Sequence, residues 1–170
     1  DGGGEVELNL NPGTVKGIAT VVVSQPGLSD GSPPFTSATE LVGINSGAPA
    51  SWQITKGNTS TSVVAGSQQI IEATVYDQFE NVISDIPAVR NLDFELLSAP
   101  TLFPTAGGAA LDDDETPGSP SLLESEPTSQ GISDVNLLTS TTVGDHVVEV
   151  CIDGGLLPGC RNVTIHGVLG

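Results

Sequence analysis

SVVAGSQQIIEATVYDQFENVIS, residues 62–84, decides the fold of this chain. Valine, isoleucine and threonine crowd it, and their branched side chains suit a pleated, half-buried surface. Gly66 and Ser67 separate TSVVAG (61–66) from QQIIEATVYD (68–77), and Gln78-Phe79-Glu80-Asn81 reads as the turn that follows. Two strands are predicted there, with SWQIT (51–55) as another just upstream. The same texture returns in VISDIPAV (82–89), LDFELLSA (92–99), ISDVNLLTSTT (132–142), HVVEVCID (146–153) and RNVTIHG (161–167). Short strands parted by turn signals predict an all-β sandwich.

Composition agrees. The 170 residues include 21 glycines and 12 prolines, and 37% are hydrophobic. With one Trp, one Tyr and four Phe, the core must be mainly aliphatic. Four basic residues against twenty-one acidic ones give a formal charge of −17. Such a surface repels phosphate backbones and argues against nucleic acid as a partner. No run approaches the eighteen or so apolar residues of a membrane helix, so no membrane insertion is expected. The chain holds no methionine, which suits a mature piece cut from a secreted precursor.

Order and spacing point further. Val63-Val64-Ala65-Gly66 has the form V-x-A-G, and Ile71 to Asp77 spells I-x-A-T-V-x-D. Leu138 to Gly144 spells L-T-S-T-T-x-G and leads into alternating valines. Across about residues 51–166 the chain resembles bacterial immunoglobulin-like domains of the invasin and intimin type. The resemblance implies an extracellular sandwich used for display or assembly. Two departures stand out: a long acidic, Pro/Gly/Ser-rich insertion at 104–131, and residues 1–49, which lie outside the pattern. The predicted organisation is an N-terminal extension (1–49) followed by an immunoglobulin-like β-sandwich (50–170).

The extension carries strands of its own. Residues 5–10 (EVELNL) alternate polar and apolar, and 14–23 (TVKGIATVVV) forms a second run beyond Asn11-Pro12-Gly13. A breaker-rich connection (25–34) leads to another candidate strand, ATELVGI (38–44). The sandwich has a full strand complement without residues 5–23, so these read as surplus strand. Unpaired backbone must find an edge. Either it folds back onto its own sandwich, or Val6, Leu8, Leu10, Val21 and Val23 pack against a neighbouring copy by β-augmentation.

Cys151 and Cys160 flank a Gly/Pro-rich loop between two strands. If Val148, Val150, Val163 and Ile165 face the core, both cysteines fall on the outer face, opposite each other across a hairpin. That arrangement predicts a disulfide and an oxidising compartment. A zinc site with His146 and His166 is disfavoured, because His146 and Cys151 point to opposite faces of one strand. Asn58 and Asn162 head N-x-S/T sequons and are glycosylation candidates, with Asn162 on the outer face.

Asp112, Asp113, Asp114 and Glu115 form an acidic run that either collects calcium or is simply solvated charge. Apart from calcium there, no cofactor is expected. No G-x-S-x-G, H-E-x-x-H or phosphate-binding glycine loop occurs, and the chain is not expected to be an enzyme. A carbohydrate-binding module would need stacked aromatics, and Trp52 and Tyr76 are isolated. The sequence therefore points to a structural subunit of an extracellular, pilus-like filament or adhesive fibre, whose copies join head to tail by strand donation. The alternatives are one module of a larger cell-surface adhesin, or a carbohydrate-binding module.

Overall fold

In the computed structural model, eleven strands follow one another along the described residues. They are β1 (Gly17–Val23), β2 (Ala38–Ile44), β3 (Pro49–Lys56), β4 (Thr61–Val64), β5 (Gln68–Asp77), β6 (Asn91–Ser98), β7 (Ala110–Asp112), β8 (Leu123–Pro127), β9 (Ile132–Leu138), β10 (Gly144–Ile152) and β11 (Cys160–Val168). The structure describes all residues except 1–8, 12, 25–37, 58–60, 84–90, 113–118, 153–156 and 158. Two units are distinguished, residues 1–46 and residues 47–170.

The second unit is a two-sheet sandwich. One sheet has the order β4-β11-β10-β6-β8 and the other β3-β5-β9-β7. Alternation builds its core. Ile71, Ala73 and Val75 of β5 and Val135 and Leu137 of β9 are buried from one sheet, and Leu92, Phe94, Val148, Val150, Val163 and Ile165 from the other. Each such side chain, Ala73 apart, contributes roughly 1.5–3 kcal/mol when fully buried. The expected strand 68–77 and the turn at 78–81 are both present.

The chain changes sheets between β3 and β4. Gly57 makes this possible: its φ is +70°, and a Cβ there would lie 2.8 Å from the carbonyl oxygen of Ile70. β4 then runs parallel to β11, while β3 pairs antiparallel with β5. This is an immunoglobulin-like β-sandwich.

Two expectations change. Residues 104–131 are not a loop appended to the sandwich, because β7 joins one sheet and β8 the other. Apolar side chains at Ala109, Ala110 and Leu111 bury this acidic stretch at its start. Nor is 14–23 a surplus strand. Its strand portion, β1, pairs antiparallel with β2 inside residues 1–46. Leu10 lies outside any strand, and Val6 and Leu8 lie outside the described residues.

Candidate interaction surface

The β1–β2 ribbon is apolar on both faces. In register, Ala19 lies opposite Val42 and Val21 opposite Glu40, so these share one face with Ile44, opposite Gly17. Asn9 and Leu10 join Val21, Glu40 and Val42 around a groove of about 380 Å³. The opposite face presents Ile18, Leu41 and Val22, which are 74%, 63% and 58% exposed. Strands built to be covered on both faces read in this way. A two-stranded ribbon by itself is marginal in water and gains stability from further strands or packing. Of the residues expected to bind a neighbour, Leu10 and Val23 are exposed and Val21 is half-buried.

Charge restricts where two copies could meet. On the outer face of the five-stranded sheet, Glu95 lies directly opposite Glu149, and Asp93 sits one row away beside Cys151. Like charges directly opposed weaken a sheet and repel a like surface. β1 contains no charged residue, and β2 contains only Glu40.

Cys151 and Cys160 are bonded to each other, in register across the β10–β11 hairpin. Their sulfurs lie near the Glu149 carboxylate, but a bonded pair offers no thiolate to a metal. Asn162 is exposed on the same outer face, as its parity requires, while Asn58 lies outside the described residues. Asp112 is buried on β7, opposite Asn136 of β9. Asp113, Asp114 and Glu115 lie outside the described residues, so the calcium reading has no geometry there.

Two polar clusters went unrecognised in the sequence. Asp77, at the end of β5, is buried and accepts hydrogen bonds from the backbone N–H of Gly47 (2.8 Å), Phe79 (2.8 Å) and Asn81 (2.9 Å). Burial pushes its carboxyl upward, but bonds from the Asn81 side chain and from these three amides outweigh it and hold the pKa at about 2. The spacing Asp77 to Asn81 was the available signal, since Asp often caps its own following turn. Asp77 thereby fixes Gly47, the first residue of the second unit.

His146 is fully buried. The Ser140 N–H donates to its Nε2 over 2.9 Å, which places the ring hydrogen on Nδ1, 3.4 Å from the Ile165 carbonyl oxygen. Burial holds its pKa below the usual 6.5, against the upward pull of backbone bonds to Ile165 and Gly144 and of Asp145. His166 is solvent-facing and pairs with Asp145 at 2.7 Å. Trp52, isolated from other aromatics in the sequence, is core: its ring is buried and the Arg161 guanidinium carbon lies 4.8 Å from its centroid. That ring offers no open face to a sugar.

No family model matches the chain, and no curated protein matches it. Among solved structures, a β-glucuronidase from glycoside hydrolase family 2 superposes with a TM-score of 0.50 at 17% identity, over 81% of this chain and 13% of that one. The D00-D0 domain of intimin gives 0.45 at 16% identity, over 89% of this chain and 64% of that one. Domains 4 and 5 of the S-layer protein SbsC give 0.45 at 14% identity, over 78% and 59%. The chain thus spans less than two thirds of each. At these identities the glucuronidase match speaks to fold alone. Among the described residues, no helix is long and apolar enough to cross a membrane.

Proposed function

We propose that this chain is a non-catalytic, extracellular assembly module whose copies associate through the N-terminal β-ribbon. The observation that carries the reading is a ribbon apolar on both faces in a chain of net charge −17. Water penalises exposed apolar area at roughly 25 cal/mol per Å², and a neighbouring copy relieves that penalty. The disulfide supports an oxidising, extracellular setting. The motifs V-x-A-G, I-x-A-T-V-x-D and L-T-S-T-T-x-G support kinship with the invasin and intimin type. On the same motifs, the second reading is a single module of a larger surface adhesin.

Light scattering on the chain before and after removal of residues 1–46 separates the two. Assembly through the ribbon makes the full chain grow in mass with concentration, and leaves residues 47–170 a folded monomer. An adhesin module stays monomeric in both forms. Among the described residues, the buried core lies within 47–170, so the folding of that part is checked directly by thermal melting.

A further inference from the structure

The disulfide marks a place where three metal-binding groups converge. Cys151 and Cys160 face each other in register across β10 and β11, with their Cα atoms 4.2 Å apart. Glu149 stands two residues before Cys151 on the same outer face, since alternate residues of a strand share a face. Its carboxylate and the two sulfurs all lie within 4.8 Å of one another. Among the described residues, no other three ligating side chains come so close together.

The surroundings favour a cation. On the neighbouring strand β6, Glu95 lies in register with Glu149 and Asp93 with Cys151. On the other side Glu149 faces Asn162, which is neutral. Arg161 belongs to the inward parity of β11 and stacks on Trp52, so it does not neutralise these carboxylates. His146 is buried in the core and His166 pairs with Asp145, so neither histidine takes part. Glu149 and Cys151 are half-buried and Cys160 is exposed, which leaves the group open to ions and small thiols.

We propose that the reduced Cys151–Cys160 pair, together with Glu149, binds a divalent cation of the zinc and cadmium type. Thiolate and carboxylate both ligate such ions, and thiolate selects them over calcium and magnesium. A tetrahedral ion with sulfur at about 2.3 Å takes its two sulfurs roughly 3.8 Å apart, which directly opposed residues span. Water completes the coordination. The chemistry balances in two steps. Two molecules of a small thiol cleave the S–S bond, leaving both cysteines as thiols while they are themselves joined as a disulfide. The cation then displaces one proton from each cysteine thiol, and both protons pass to solvent. Bonded sulfurs hold no ion, so disulfide and metal exclude each other while clamping the same two strands.

The test titrates cadmium into the full chain, reduced and then freed of reductant without air. Thiolate-to-cadmium charge transfer in the ultraviolet reports sulfur ligation, so ions held on surface carboxylates stay silent. The band should saturate at one ion per reduced chain and be absent from the oxidised chain. Cadmium should also raise the melting temperature of the reduced chain, and raise it more than that of the oxidised chain. Glu149→Gln should keep the band but weaken binding by roughly 10–100-fold, as loss of a metal's supporting groups does. No band in the reduced wild type overturns the site. So does a band without the rise in melting temperature, which is how loose thiols of an unfolded chain would behave. Equal affinity of E149Q and wild type removes Glu149 as a ligand, and the three-ligand site with it.

Discussion

The backbone N–H of Ser140 donates to Nε2 of the buried His146, six residues further along the chain, over 2.9 Å. That bond needs a neutral imidazole, because a protonated Nε2 would aim its own hydrogen at the Ser140 amide. The Ser140 carbonyl accepts from Gly66 N–H at 2.9 Å, and the Thr141 N–H donates to the Gly107 carbonyl at 2.9 Å. One histidine therefore stands behind a loop that ties three parts of the sandwich together. Asp145, the next residue back along β10, pairs with His166 on the outer face.

Because the folded pKa of His146 lies below the unfolded value of 6.5, its contribution is complete above that value and is lost as pH falls through the folded pKa. The melting temperature should hold from pH 8 to about 7 and then decline, by about 2–4 °C for each kcal/mol lost. His146→Gln, which keeps an acceptor for Ser140 and cannot charge, should flatten the profile in that range. A parallel decline in the variant would remove His146 as the cause.

Asp77 governs a second, more acidic step. Its folded pKa of about 2 lies below the ordinary 3.8, so its contribution is present above about pH 4 and disappears as pH falls toward 2. Asp77→Asn should lower the melting temperature at neutral pH and remove this step. Gly47 should then exchange its amide hydrogen faster, since its N–H donates to the Asp77 carboxylate. Unchanged exchange at Gly47 would show that the tie is dispensable.

Reducing the Cys151–Cys160 bond should cost roughly 2–3 kcal/mol, the loop-closure value for a separation of nine residues. The double Ser variant should melt about 4–12 °C lower than the oxidised protein. Intact mass with alkylation, with and without reductant, reports the bond itself. Two thiols alkylated without reductant would contradict it.

Trp52 is the single tryptophan, and its indole Nε1 is buried without a hydrogen-bond partner among the described residues. Removing that group relieves a desolvation cost of about 1–3 kcal/mol, so Trp52→Phe should cost far less than the 3–5 kcal/mol typical of Trp→Ala. Arg161→Ala should cost about 0.5–1 kcal/mol and shift Trp52 emission to the red as water reaches the ring. An emission maximum indifferent to Arg161 would refute the stacking.

The sandwich was legible because its signal is local. Val148, Val150, Val163 and Ile165 alternate inward, and that parity alone set Cys151 opposite Cys160. Composition misled where it outweighed periodicity. Asp and Glu in 104–131 suggested a loop, yet Glu124 and Glu126 belong to an edge strand whose inward charges repel further pairing. Strand partners were harder to read than strands. Nothing in GIATVVV says that ATELVGI lies beside it, because pairing depends on a connection whose course no local pattern encodes. His146 and Asp77 went unrecognised for a related reason: their partners are mainly backbone groups, which every residue offers and no sequence marks.

The parallel course of β4 and β11 has a mechanical meaning. Force applied between Thr61 and Gly170 pulls β4 toward its N-terminal end and β11 toward its C-terminal end. In a parallel pair those directions are opposed, so the load falls along the strands and strains the ladder bonds together instead of opening them one at a time. Under such tension the pair resists by shear, and Ile165 to Gly167, held between β4 on one side and β10 on the other, is the segment that must slip before the two strands part.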